Sequence, residues 1–421
     1  MSTEPSHAPH PALWPLRFIS VEAASGIVLL LAAALALAWA NSPWAGAYQA
    51  LWQLRLPLAL PGVLPAQDLH FWVNDGLMTV FFLVVGLEIR RELHEGALSD
   101  PKVATLPAMA ALGGVAVPAL LYLLVNALAA GAEPLARRGW AIPTATDIAF
   151  AVGVLSLAGK AVPPAVRMLL LTLAIVDDIV AIVVIALFYS SSIRAAGLAL
   201  GAAGVLAALT LQRLSVRSGL AYLLPGALVW LGMLHAGVHP ALTGVVLGLL
   251  TPVTVTFGRE LRAAHPQSPP GAAEAPVVRM QDLLHPWVAF GIMPLFAVAN
   301  AGVALAGVDL GAAAPRAAAG GIVLGLTLGK PLGIVLASFA AVSLGLCALP
   351  KGARWSHIGL LGVMGGIGFT MSIFITELAF DDTELVATAK FAVLIGSALA
   401  GTIGIILGRL QPGSAPIIAR A

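Results

Sequence analysis

Ala174-Ile175-Val176-Asp177-Asp178 sets two adjacent carboxylates at the centre of Pro164 to Tyr189, a stretch that is otherwise almost wholly apolar. At 1.5 Å per residue the stretch makes a helix of about 39 Å, long enough to cross a hydrocarbon core of about 30 Å. Both acids therefore lie deep in a bilayer. An acid at that depth costs on the order of 3 kcal/mol, so two side by side point to function. The alternative is a pair satisfied by buried donors that holds helices together. Consecutive helical residues point about 100° apart, so the two acids face different neighbours while both border one aqueous cavity. One acid is then available to hold an ion while the other takes a protein partner. Hard monovalent cations such as Na+ and Li+ favour oxygen ligands, and protons compete for the same carboxylates. A site that holds either one exchanges cation for proton directly.

The rest of the chain fits a lipid-solvated molecule. Of its 421 residues 59% are hydrophobic and 10% charged, far below the roughly 25% charged of a soluble domain. The 44 glycines and 29 prolines sit inside apolar runs, where neighbouring helices satisfy freed backbone groups, so they mark packed or broken membrane helices. Basic residues are scattered between these runs and form no stripe, so no nucleic acid is implied as a partner. A single cysteine, Cys347, excludes an internal disulfide and a Cys-rich metal centre. No cofactor is expected.

Hydropathy divides the chain into twelve spans at 20–40, 70–90, 105–128, 139–157, 164–189, 195–212, 219–233, 238–251, 284–306, 319–346, 357–379 and 386–409. The expectation is an all-α polytopic membrane protein forming one transporter domain over 18–410, with tails at 1–17 and 411–421. Spans 219–233 and 238–251 are short for a crossing. Ala38-Trp39-Ala40 resembles a leader cleavage site, but the apolar run before it is longer than a leader's and the flank is nearly uncharged, so the first helix is expected to be retained. A small extramembrane β-hairpin is expected at about 45–66, around Leu60-Pro61-Gly62-Val63. The Pro/Ala-rich segment at about 251–278 reads as a mobile loop. With a cytoplasmic amino terminus, fifteen of the 22 Lys and Arg fall on the inner side, which favours both termini in the cytoplasm.

Segments 105–189 and 319–410 share one pattern: an apolar helix, an interrupted helix, then a long helix. The interruptions are Ile142-Pro143-Thr144-Ala145-Thr146-Asp147 and Gly365-Gly366-Ile367-Gly368-Phe369-Thr370. The two triplets begin seven spans apart, so they run in opposite senses. Inverted repeats with two broken, crossing helices are the signature of a secondary transporter, with its site near the midplane. Asp147 and Thr146 follow the first break, where an acid balances helix N-termini. Lys330, within Leu328-Gly329-Lys330-Pro331, is the natural counter-charge, either to an aspartate or to the dipole ends at the other break. A snorkelling lysine is the plain alternative.

Other polar positions admit two readings. Glu88, Arg91 and Glu92 share a helix face, as a solvated ion-pair ladder or as a regulatory cluster. His285, before Pro286, either senses pH or caps an interface. His235 and His239 flank a loop, where structural roles are favoured. Asp75 lines an aqueous funnel or sits at the membrane surface.

With these residues placed, the chain resembles the NhaA family of bacterial Na+/H+ antiporters from about residue 15 to 410. The resemblance is carried by Phe81-Phe82-Leu83-Val84-Val85-Gly86-Leu87-Glu88, Thr146-Asp147-Ile148-Ala149-Phe150 and Ala174-Ile175-Val176-Asp177-Asp178. It continues through Gly237-Val238-His239, His285-Pro286-Trp287, Leu295-Phe296-Ala297-Val298-Ala299-Asn300-Ala301-Gly302, Gly329-Lys330-Pro331 and Gly365-Gly366-Ile367-Gly368-Phe369-Thr370. NhaA antiporters are themselves among the examples on which the inverted-repeat rule rests.

The resemblance implies electrogenic exchange of cytoplasmic Na+ or Li+ for external H+, activated by alkaline pH, in a bacterial inner membrane. It implies that Asp178 is central to ion binding, that Asp177 is its partner and pairs with Lys330, and that Thr146 and Asp147 line the crossing. Glu88, Arg91, Glu92 and His285 match positions implicated in pH response, and the loop at 45–66 resembles a homodimer contact. The sequence departs from the family pattern at Gln281, where an acid is common, and at Asp282, where histidine is common. That departure bears on the pH set-point.

Two other classes remain to be weighed. A Na+-coupled organic-anion transporter would use the same fold. An intramembrane aspartyl protease needs two acids on facing helices sharing a proton, a geometry that adjacent Asp177 and Asp178 lack.

Overall fold

A computed structural model describes residues 14–57, 64–129, 134–158, 162–190, 193–214, 216, 218–253, 275–308 and 310–411, with 14–23 described by backbone alone. Among these the chain is helical, with no β-strand. The helices are α1 (Trp14–Ala40), α2 (Leu69–Glu95), α3 (Pro101–Leu128), α4 (Ile148–Ala158), α5 (Pro164–Phe188), α6 (Ala195–Arg213) and α7 (Gly219–Ala236). They continue with α8 (Leu242–Leu250), α9 (Pro276–Asn300), α10 (Ala313–Ser343), α11 (Trp355–Gly365), α12 (Phe369–Ala379) and α13 (Thr383–Leu410).

Aspartates at polar ends start three of these helices. Asp68 accepts from Phe71 N, Asp100 from Lys102 N ahead of Pro101, and Asp382 from Leu385 N, each satisfying amide groups that a first turn leaves open.

Eight helices among the described residues are long and apolar enough to cross a membrane, and up to eleven spans result if each of three bent pairs counts as one. Eleven of the expected twelve spans correspond to these, and the difference is span 238–251. Span 238–251 contains only the nine residues of α8, about 13 Å of helix at 1.5 Å per residue, which is less than half a hydrocarbon core. Two of the bends are the expected breaks: Pro134–Thr144 meets α4 at 51°, and α11 meets α12 at 46°.

The expected hairpin at 45–66 is a second correction. Ala45–Trp52 is a helix that leaves α1 at 115°. Its Tyr48 and Trp52, one turn apart, are both buried, and the Tyr48 hydroxyl donates to Val298 O at 2.7 Å. An aromatic pair at i, i+4 with one buried face selects a helix over a strand. Beyond it the strand-like pairing is one isolated antiparallel bridge between Arg55 and Asp68; the expected turn at 60–63 lies outside the described residues. Likewise 254–274 of the expected mobile loop lies outside them, whereas Pro276–Val278 already belong to α9, with Val277 N bonded to Pro252 O at 3.3 Å.

Two close helix approaches position the polar interior. A Cβ on Gly333 of α10 would sit 2.0 Å from Gly113 O of α3, and one on Gly244 of α8 would sit 2.0 Å from Thr79 O of α2. Only glycine lets these backbones touch. The first contact holds the middle of α10, and Lys330 with it, in the core.

Candidate functional site

The two breaks are bonded to each other. Asp147 N donates to Ile367 O at 2.7 Å, so a carbonyl exposed by the second break satisfies an amide exposed by the first. The Asp147 carboxylate caps both second halves at once: Oδ1 accepts from Phe150 N (3.0 Å) at the start of α4, and Oδ2 accepts from Thr370 N (3.1 Å) and from the Thr370 hydroxyl at the start of α12. One buried negative charge thereby balances two positive helix ends. Thr370 belongs to a quoted Gly-rich stretch, but nothing in that stretch marked its hydroxyl as the acid's partner.

Lys330 meets the first break. Its Nζ lies 2.7 Å from Asp177 Oδ2 and also donates to Thr144 O, the last carbonyl of the first arm. A π-helical segment, Gly325–Gly329, runs directly into it. Thr146 Oγ1 is 2.7 Å from Asp177 Oδ2 and 2.9 Å from Gly365 O, so its one proton serves a carboxylate or a helix-end carbonyl. Asp177 Oδ1 is buried and has no hydrogen-bond partner among the described residues.

Asp178 differs from its neighbours. Its side chain is buried, yet among the described residues it accepts no hydrogen bond, while the carboxylates of Asp147 and Asp177 are engaged. Burial and the charges of Glu88, Asp177, Asp147 and Lys330 all act on it. Three carboxylates against one ammonium leave the crossing net negative within an apolar bundle, which attracts a cation.

Of the sequence candidates, Thr146, Asp177 and Lys330 are joined by direct contacts, Asp147 follows Thr146 in the chain and bonds the second break, and Asp178 and Glu88 act within the same electrostatic field. Arg91 and Glu92 make contacts outside this group, and His285 lies in the Pro276–Trp287 part of α9. Glu92 accepts from Ala97 N at 2.7 Å, closing the end of α2, and Arg91 donates to Gln281 at 3.3 Å. Gln281, one of the two residues that depart from the family pattern, is thus a buried bridge from α9 to α2, while Asp282 is exposed. Asp75 lies apart, 3.4 Å from His239, a pairing that their separation in sequence concealed.

Residues 16–407 match the protein family described as Na+/H+ antiporter 1. The chain belongs to the NhaA family of Na+/H+ antiporters. Among its NhaA relatives, an Na(+)/H(+) antiporter NhaA 2 of Sorangium cellulosum is 52% identical, covering 96% of this chain and 91% of the relative. An Na(+)/H(+) antiporter NhaA of Acidovorax sp. is 53% identical, covering 94% of each. One from Cupriavidus necator is 50% identical over 96% of this chain and 92% of the relative. A member of the NhaA family is a transporter and not an enzyme, which removes the protease reading.

Proposed function

We propose that this chain exchanges cytoplasmic Na+ or Li+ for external H+ across a bacterial inner membrane, with Asp178 as the principal ligand of the transported ion. The observation that carries the assignment is the contrast within the crossing. Asp147 is committed to two helix ends and Asp177 to Lys330 and Thr146, while Asp178 is buried and accepts no hydrogen bond among the described residues.

Asp177 is the second ligand. A cation arriving at Asp178 draws on the unpartnered Oδ1 of Asp177 and weakens its hold on Lys330. Protons compete for the same oxygens, so the site carries cation one way and protons the other, electrogenically. Asp147 and Thr146 keep the crossing open and neutralise its helix ends. Both termini are cytoplasmic, the two repeats are inverted, and Asp75 lines the outer funnel. Glu88, Arg91, Glu92 and His285, with Gln281 between helices, set the activation at alkaline pH. The segment at 45–66 mediates a homodimer.

The test is Na+-driven proton release in proteoliposomes. Asp178→Asn is expected to abolish it while wild type responds to both Na+ and Li+. Near-normal exchange by the variant removes Asp178 from the binding role. Counterflow of a labelled organic anion by wild type would favour the coupled-anion reading instead.

A further inference from the structure

One face of α12 runs from the crossing to a further carboxylate. Thr370, bonded to Asp147, is followed on that face by Phe374 at i+4 and Glu377 at i+7. Seven residues of helix put Glu377 about 10 Å beyond Thr370. Its Oε1 pairs with Lys390 Nζ of α13, the two side chains being 23% and 11% exposed. The chemistry is that of Lys330 with Asp177, an ammonium on a carboxylate, but here the pair is partly open to water where the other is sealed.

Phe374 stands between the two pairs. It meets Phe82 of α2 at 5.4 Å and Phe296 of α9 at 6.2 Å, and all three rings are buried. Past this apolar plug α2 and α9 each turn polar. Asn300, one turn after Phe296, donates to Asn74 Oδ1 at 2.8 Å, and Asn74 donates back to Asn300 Oδ1 at 3.3 Å. His70 Nε2 lies 3.1 Å from Asn300 Oδ1 and also acts electrostatically on Glu377, so the amides and the carboxylate share one side of the plug. A carboxylate and amide carbonyls are the oxygen donors that a hard cation prefers. A tie between α12 and α13 accounts for the ion pair alone, and gives no reason for buried amides of α2 and α9 on the same side of the plug.

We infer that Glu377, with Lys390 as its counter-charge and the amides of Asn74 and Asn300 beside it, forms an outer binding site for the transported alkali cation, occupied once the ion has passed the Phe374 plug. The inference rests on the exchange reading above and on this end of α12 facing outward. Lys390 neutralises the carboxylate while the site is empty of cation, and moves aside as Na+ or Li+ takes its place. Because the ammonium competes with the ion, binding stays weak. A site that hands ions to external water has to be weak, since conduction requires that what enters can leave.

The test uses full-length protein oriented one way in proteoliposomes. Exchange of labelled Na+ is recorded at one fixed pH on both sides, while Na+ is varied on one face at a time. Glu377→Gln is expected to raise the Na+ concentration for half-maximal exchange on the outer face about tenfold, the order set by losing one charge at a partly exposed site. Lys390→Met is expected to move it the opposite way, below the wild-type value, because the competing ammonium is gone. In both variants half-saturation from the inner face stays at the wild-type value. A merely structural pair would lower flux in both variants without moving the outer half-saturation, and that result overturns the inference. Outer shifts of the same sign in the two variants overturn it as well, as do equal shifts on both faces, which would return the effect to the crossing. Should Glu377→Gln fail to fold, the sign of the Lys390→Met shift decides. Wild type that fails to exchange Na+ for H+ sinks the function reading, whereas normal wild-type exchange with unshifted variants sinks only this inference.

Discussion

Lys330 and Asp177 form a 2.7 Å ion pair with side chains 0% and 1% exposed. Neither charge has water to fall back on. Removing one partner of such a pair leaves an uncompensated charge and costs about 3–5 kcal/mol, while removing both together costs far less. Lys330→Met should therefore lower the melting temperature of the purified protein strongly, and Lys330→Met with Asp177→Leu should recover much of the loss. Equal melting of the single and double variants would show that the pair carries no such coupling.

The hydroxyl of Thr370 donates to a carboxylate that already caps two helix ends. A hydrogen bond to a charged group contributes about 1.5–3 kcal/mol. Thr370→Val should reduce stability by that order and slow Na+-driven proton release, whereas Thr370→Ser should restore both. Matching thermal melts and fluxes for the valine and serine variants would argue against the hydroxyl.

Close contact between Gly333 and Gly113 sets where α10 enters the core. Gly333→Val forces the two backbones apart and should destabilise by about 1–3 kcal/mol or more. Because Lys330 lies one turn before Gly333, the same change should weaken Na+ exchange beyond what the lost stability explains. A variant with wild-type exchange and wild-type melting would place the helix contact outside the transport machinery.

Gln281 accepts a hydrogen bond from Arg91 across α9 and α2. Gln281→Leu removes the acceptor and leaves a guanidinium with one fewer partner. The expected outcome is a shifted pH profile of Na+ flux with the maximal rate retained. An unmoved profile would confine the bridge to packing.

Membrane class, helical content and the two breaks were legible in the chain, because apolar length and Gly or Pro interruptions are local properties of sequence. Asp177, Asp178, Asp147 and Lys330 stood out for the same reason: a charge within an apolar run is conspicuous wherever the run folds. Three features were not legible. The aromatic pair Tyr48 and Trp52 turned an expected hairpin into a helix, because burial against α9 outweighed the local turn residues. Thr370 and Asp147 are 223 positions apart, and Asp75 and His239 belong to separate elements. What the sequence by itself determined was which residues are costly in a bilayer. Which of them meet was decided by tertiary structure, since hydrogen bonds and ion pairs depend on ångström distances that glycine contacts between helices impose.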